Sequence, residues 1–430
     1  MRIKEKIKSG NFSVGVIGLG YVGLPLAVEY AKVGIAVKGF DLNSEKVSQI
    51  RDGKSYVIDI ADEELRAVVT SKALEAFDSI KNLKNVDAIV IAVPTPLSKS
   101  KEPDISYIQS AVEMVKTIIH KDMLITLEST TYPGTTRELL GDAFESMGFV
   151  TGKDIFVAFS PERVDPGNQI YKTKNTPKVV GGLSAECTEI AALFYEKVID
   201  TVVRVEKAEE AEMSKLLENT FRAVNIGLVN EMLLMADRMG INIWNVIDAA
   251  KTKPFGFMPF YPGPGIGGHC IPLDPSYLSW KAKSYNFYNR FIELATDING
   301  NMPRFVISKL YRILNKAKKS INGSNILILG VAYKPNIDDV RESPALDVYE
   351  LLSEEGANVE FNDPFVESFK ILGKKVYSKP LSERMLESYD AVIMVTGHSA
   401  YDEKFIEKHA KSILDTRSFF KISSGKVVKL

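Results

Sequence analysis

The side chains that can do chemistry gather first around one thiol. Cys270 stands in the run Gly267-Gly268-His269-Cys270-Ile271-Pro272-Leu273-Asp274. This run reads as a loop just ahead of a helix predicted to begin near Ser276. A helix N-terminus, with glycines that let a ligand approach the backbone, is a setting that can lower a thiol's pKa and leave it accessible. The plain alternative is a cysteine packed as a small hydrophobe, which is the reading for Cys187 in an ordinary helical stretch. Asp274 is either a helix N-cap or a general base. Upstream, Lys215 and Asn219 are spaced i, i+4 and share one face of a predicted helix, with Arg222 near that face. They are either a solvated polar stripe or part of a site.

A second constellation is a phosphate cradle. The β-branched run Ser13 to Ile17 reads as a buried strand. Gly18-Leu19-Gly20-Tyr21-Val22-Gly23 follows, then a helical pattern to about Val33 and a second strand, Ala36 to Phe40, ending at Asp41. Gly18 permits the tight turn, Gly20 lets the backbone approach a pyrophosphate, and Gly23 lets the helix pack close to its strand. The helix N-terminus offers unpaired amides to phosphate. Asp41 can accept hydrogen bonds from a ribose and repels a 2′-phosphate, which favours NAD over NADP.

The elements that must position these groups follow an α/β rhythm. Strands are predicted at Asp87 to Val93, ahead of Thr95, at Met123 to Leu127, ahead of Glu128-Ser129-Thr130, and at Ile155 to Phe159, ahead of Ser160-Pro161-Glu162-Arg163. Ligands of an open parallel sheet sit beyond the carboxyl ends of its strands, where Thr95, Thr130 and Glu162 lie, although Thr, Ser and Pro also favour loops for turn chemistry alone. A long helix is predicted from Lys207 to Met239, closed by Gly240. It serves as a spine joining domains or as a dimer surface. Residues 254–268 are dense in Pro and Gly. The rhythm restarts with strands at Asn325 to Leu329, Asn358 to Phe361 and Asp390 to Val395. This second unit lacks the glycine triplet, so a second dinucleotide is not expected. Lys334, Arg341 and Arg417 fall near its strand ends, as phosphate ligands or as surface charges.

Composition sets outer bounds. At roughly 150 residues per domain, 430 residues make several domains, and 45% hydrophobic with 25% charged residues is ordinary globular usage. Lys plus Arg is 54 against 55 Asp plus Glu, so charge gives no case for nucleic acid. Apolar runs such as Ala88 to Val93 fall short of the ~18 residues of a membrane helix. The basic start MRIKEKIKSG lacks the apolar core of a signal peptide. A cytoplasmic protein with no membrane or nucleic-acid partner is expected. Two cysteines and four histidines support neither a disulfide framework nor a metal site.

With these pieces in place, the chain resembles the nucleotide-sugar 6-dehydrogenases (UDP-glucose/GDP-mannose dehydrogenases) over nearly its whole length. The features are Gly18 to Gly23 with Tyr21-Val22 and Pro25, Glu128-Ser129-Thr130, Ser160-Pro161-Glu162, Lys215 with Asn219, Gly267-Gly268-His269-Cys270 with Asp274, and Lys334 with Asp339 and Arg341. The resemblance implies two Rossmann-like doubly wound α/β domains joined by a long central helix. It implies an NAD domain at 1–205, a helical dimerisation region with the cysteine loop at 206–318, and a UDP-sugar domain at 319–430. A homodimer or higher homo-oligomer follows. The implied reaction is the four-electron oxidation of a sugar C6 hydroxymethyl to a carboxylate with two NAD+ and one water. By the same resemblance, Cys270 is the nucleophile and Lys215 and Asn219 bind substrate and stabilise an oxyanion. Asp274 handles protons with Thr130 and a water, and Glu162 is a further acid/base group. Gly18, Gly20, Tyr21, Val22, Gly23, Asp41, Lys46, Thr95 and Thr130 contact NAD. Glu162, Arg163, Val164, Arg222, Tyr333, Lys334 and Arg417 contact the UDP-sugar, and Arg341 is placed near either ligand.

The chemistry of the residues agrees. An alcohol yields one hydride to reach an aldehyde, which yields a second only once a nucleophile has made it tetrahedral. A thiolate does this as a thiohemiacetal, which becomes a thioester. The UDP-glucose branch often has a second glutamate four residues after the first, and Ser before the cysteine. Here Pro166 and His269 stand there, a pattern similar to the UDP-N-acetylhexosamine branch. UDP-N-acetylglucosamine is the first expectation, followed by UDP-N-acetylmannosamine or UDP-N-acetylgalactosamine, then UDP-glucose. A two-electron 3-hydroxyacid dehydrogenase and a catalytically silent NAD and nucleotide-sugar binding module are the competing classes.

Overall fold

The computed structural model describes residues 2–57, 59–96, 102–165, 168, 170–268, 271–421 and 425–430. Cys270, His269, Pro166 and Gly167 therefore lie outside the described residues. The chain forms two compact units, Met1–Glu218 with Ser276–Asn286, and Asn219–Pro275 with Phe287–Leu430.

The first unit is built on an eight-stranded sheet in the order β3-β2-β1-β4-β5-β6-β7-β8. The strands are β1 Ser13–Ile17, β2 Ala36–Phe40, β3 Leu74–Phe77, β4 Ala88–Ile91, β5 Met123–Leu127, β6 Ile155–Phe159, β7 Lys178–Gly182 and β8 Val202–Arg204. β4, β5 and β6 are buried at every position, because helices cover both faces of a doubly wound sheet. β1 pairs with both β2 and β4, so the chain's winding reverses between β1 and β4, the usual place for a ligand crevice. The expected Asp87–Val93 strand shortens to Ala88–Ile91. Just before it, the Asp87 amide still donates to the Ser13 carbonyl and its carbonyl accepts from the Leu124 amide, each at 3.0 Å, while its carboxylate accepts from Lys6 Nζ (2.6 Å) and the Ser13 amide (2.9 Å). β7 runs antiparallel to β6 and was not expected from the sequence.

The second unit holds a parallel five-stranded sheet in the order β10-β9-β13-β14-β15. Its strands are β9 Asn325–Leu329, β10 Asn358–Asn362, β13 Ala391–Met394, β14 Ile413–Asp415 and β15 Val427–Lys429, with a hairpin of β11 Ser368–Ile371 and β12 Lys374–Tyr377. Here the winding reverses between β9 and β13. The helix Ala208–Met239 ends, as read from the sequence, at Gly240, whose φ of 69° is left-handed. Among the described residues no helix is long and apolar enough to cross a membrane.

The turn after β1 is held by close approach. A Cβ on Gly23 would lie 1.9 Å from the Gly18 carbonyl oxygen, and one on Gly18, at φ 93°, would lie 2.4 Å from the Ala92 oxygen. Gly23→Ala is expected to cost about 1–3 kcal/mol of stability through overpacking and to weaken NAD binding, read by urea unfolding and by NAD titration. Unchanged values in both would contradict this packing account.

Candidate active site

The dinucleotide turn has the geometry of an anion cradle. A Cβ on Gly20 would meet nothing within 4 Å, so this glycine faces open space. The helix Gly23–Lys32 has no side-chain cap at its N-terminus, which leaves amides for phosphate. Asp41 accepts from the Leu19 amide and the Asn43 amide, both at 2.9 Å. A carboxylate offers about four lone-pair directions, so acceptor capacity remains for ribose hydroxyls. Lys46 lies over the Tyr56 ring, 5.6 Å from its centroid, and the Tyr56 hydroxyl donates to the Leu19 carbonyl. Tyr21 is half exposed and Val22 half buried. Thr95 is buried and its carbonyl accepts from Tyr277. Ser129 Oγ donates to the Val93 carbonyl at 2.7 Å, tying the loop that holds Thr130 to the loop after β4. These features fit NAD.

Deeper in the same unit lies a row of alternating charges. Lys178 Nζ is 3.2 Å from Glu128 Oε2 and 3.4 Å from Glu162 Oε2, with side-chain exposures of 5%, 0% and 13% respectively. Tyr195 donates to Glu128 Oε1 at 2.6 Å. Glu162 Oε1 accepts from the Arg163 and Val164 amides at 2.9 and 2.8 Å. Burial pushes the Glu128 carboxyl up, more than Lys178 pulls it down. Burial also pushes Glu162 up, but Lys178, the Val164 and Arg163 amides and Lys215 together hold it below the usual glutamate range. Lys215 is itself buried and has no hydrogen bond or ion pair among the described residues. Nothing local in the sequence marks Lys178 or Tyr195: one sits on the unexpected strand β7, the other in a helix rich in apolar residues. A third residue not foreseen is Glu212, which accepts from the Thr136 hydroxyl and amide and the Gly134 amide, fixing the loop beyond Thr130. Burial pushes its carboxyl up to about 7.

Arg163 was expected on the substrate. Its guanidinium reaches Glu218 at 2.7 Å and donates to the Pro177 carbonyl at 2.8 Å, so its side chain is already engaged in the fold.

In the second unit, Asn219 Nδ2 donates to Asp274 Oδ2 at 2.6 Å, both side chains buried. Asp274 begins the helix Asp274–Lys283. The Pro/Gly segment is pinned by Asn230, which accepts from the Gly263 amide and donates to Asn299 Oδ1, each at 2.9 Å. The approach to the cysteine loop packs on Tyr333. A Cβ on Gly268, at φ 89°, would lie 2.8 Å from the Tyr333 ring, and the Gly268 amide donates to the Arg341 carbonyl at 3.1 Å. Arg341 itself pairs with Asp339 at 2.6 Å. Lys334 is half buried and Arg222 exposed. Arg417 Nε donates to the Val395 carbonyl at 3.1 Å. Its guanidinium packs so close to Gly263 that a Cβ there would lie 2.3 Å from Nη1. Burial lowers its pKa to about 10. Among the described residues it faces no carboxylate, so this cation is available to an anionic ligand.

The NAD binding domain of the UDP-glucose/GDP-mannose dehydrogenase family matches residues 12–199, its central domain residues 209–301 and its UDP binding domain residues 327–422. A Salmonella typhi protein named UDP-N-acetyl-D-glucosamine 6-dehydrogenase is 34% identical over 393 residues, 91% of this chain and 91% of that protein. A Pyrococcus horikoshii protein named UDP-N-acetyl-D-mannosamine dehydrogenase is 34% identical over 414 residues, 95% of this chain and 96% of that protein. The solved structure of the UDP-D-ManNAc dehydrogenase from Pyrococcus horikoshii superposes with a TM-score of 0.89 at 33% identity, covering 97% of this chain and 98% of that one. The chain belongs to the UDP-glucose/GDP-mannose dehydrogenase family. It is an NAD-dependent UDP-sugar dehydrogenase acting on a CH–OH group.

Gly268→Ala is expected to lower NADH formation about 10- to 100-fold, since small displacements near a reacting group are that costly, while the unfolding midpoint moves little. A Gly268→Ala enzyme with unchanged kcat would contradict the role given to the Tyr333 contact.

Proposed function

We propose that the protein oxidises C6 of a UDP-N-acetylhexosamine to the carboxylate, with UDP-N-acetylglucosamine the first candidate and UDP-N-acetylmannosamine next. The names of the relatives at 34% identity support this substrate class, as do Pro166 and His269 in place of the UDP-glucose pattern. The observation that carries the mechanism is the buried 2.6 Å Asn219–Asp274 pair, with Asp274 only four residues beyond Cys270 in sequence.

The balance is R–CH2OH + 2 NAD+ + H2O → R–COO⁻ + 2 NADH + 3 H+. Each NAD+, when bound, takes one hydride from C6. The chain's residues do the rest. Asp274 and Thr130, through a water, take the proton of the C6 hydroxyl. The Cys270 thiolate then adds to the aldehyde carbon, forming the C–S bond and placing the electron pair on oxygen. The Lys215 ammonium and the Asn219 amide meet that oxygen; losing one such donor costs about 3–4 kcal/mol. After the second hydride leaves, water attacks the thioester, Glu162 accepts the water's proton, and Cys270 departs as thiolate. Glu162 is suited to that step because its surroundings favour the carboxylate. Arg417, with Tyr333 and Lys334 of the same unit, answers the UDP moiety. A homodimer is supported by the exposed apolar side chains Phe221, Leu228 and Met235, at heptad spacing on the helix Ala208–Met239, and by Phe291 and Leu294 on the helix Arg290–Lys316.

An NADH absorbance assay against UDP-hexoses and UDP-N-acetylhexosamines tests the reading. The expected result is the highest kcat/KM with a UDP-N-acetylhexosamine, and loss of turnover in Cys270→Ser with NAD affinity retained. Preference for UDP-glucose would overturn the substrate class, and full turnover in Cys270→Ser would overturn the nucleophile.

A further inference from the structure

A lysine enclosed in the interior needs one carboxylate to balance its charge. Lys178 has two, on the loops that follow two different strands: Glu128 after β5 and Glu162 after β6. Glu128 is wholly enclosed and already takes a hydrogen bond from Tyr195. Burial pushes its carboxyl up. Glu162 is the less enclosed member of the pair, with a side-chain exposure of 13%, and Lys215 acts on it as well as Lys178. The carboxylate at the edge of the buried cluster is therefore the one on which both lysines act, and an ionised Glu162 is the base that the hydrolytic water needs.

We propose that Lys178 is a positioning residue of this oxidation, acting through Glu162: its ammonium group holds the Glu162 carboxylate ionised and fixed against the Arg163 and Val164 amides. The assignment rests on the proposed role of Glu162 in the reaction. Lys178 lies at the start of β7, its neighbour strand β6 fixes the register at Ala158–Gly182 and Phe159–Gly181, and its Nζ stands 5.1 Å over the Tyr195 ring. It is thus held from three sides and has little freedom to follow another partner.

The test is the pH dependence of kcat for the full-length enzyme, in the wild type, Lys178→Met and Lys178→Arg. The sign follows from the charges. Lys178 lowers the pKa of Glu162, so its removal raises that pKa, and activity is lost at a higher pH on the acid side. The acid limb in Lys178→Met is expected to move up by about one to two pH units, the usual effect of one nearby opposite charge. The KM for NAD should stay within about two-fold, since the shift acts on Glu162 and not on the dinucleotide turn, and Lys178→Arg should return the limb toward its wild-type position. A limb that stays in place in Lys178→Met, or moves equally in Lys178→Arg, overturns the proposal. If Lys178→Met does not fold, the Glu128→Gln/Lys178→Met double variant, which leaves one buried carboxylate fewer, carries the same expectation and the same refutation. A wild type that forms no NADH from any UDP-sugar overturns the reaction and this assignment together, whereas an active wild type with an unmoved limb overturns this assignment alone.

Discussion

A charge removed from water must be answered by another charge, by hydrogen bonds or by a ligand, because its desolvation is expensive. This chain removes several cations from water and answers only some of them. Lys178 lies between two carboxylates. Lys215 and Arg417 are buried with no carboxylate paired to either among the described residues. In one unit the unanswered cation stands beside the Glu162 loop. In the other it stands beside the Pro/Gly segment that leads to Cys270. A fold that keeps such groups at a cost in stability has a use for them, and negatively charged oxygen is the chemistry both invite.

The backbone that presents these groups obeys a tighter constraint than charge. The turn after β1 works only because Gly18 and Gly23 let a carbonyl, a helix and a neighbouring loop occupy the space where side chains would stand. The loop before Cys270 works the same way, with Gly268 lying against the Tyr333 ring. In both places the missing side chain lets backbone approach a neighbouring group closely, and the surrounding polar network takes up the remaining donors. Asn230 and Asn299 do this for the Pro/Gly segment, and Glu212 does it for the loop beyond Thr130.

Much of this was legible from the sequence, for identifiable reasons. β5 and β6 begin after Asp122 and Asp154 and end before Glu128 and Ser160, because a strand buried on both faces tolerates only apolar residues and stops where polar ones begin. The dinucleotide turn was legible because three glycines and an aspartate must occur in order. β7 was not, because Lys178-Val-Val-Gly-Gly opens on a lysine and ends on two glycines, with only two β-branched residues between; its pairing with β6 and β8 makes it a strand. Lys178 escaped notice for the same reason, since nothing local distinguishes a buried lysine from a solvated one. Its partners arrive from residues 128 and 162, and a contact between distant segments leaves no periodic trace. For Arg163 the resemblance names a substrate contact, and the fold adds what the sequence does not disclose: its guanidinium pairs with Glu218 and donates to the Pro177 carbonyl. Asp274 could be read as a cap or as a base; it begins the helix Asp274–Lys283 and accepts a buried hydrogen bond from Asn219, a contact between distant segments that local sequence does not disclose.

The central claim is that one active thiol carries a sugar carbon through two oxidation levels without release. Counting NADH formed per UDP-sugar consumed, with sugar limiting and NAD+ in excess, addresses it most directly. The account requires two NADH per sugar, with no free aldehyde accumulating. One NADH per sugar, with an aldehyde as the product, would contradict it.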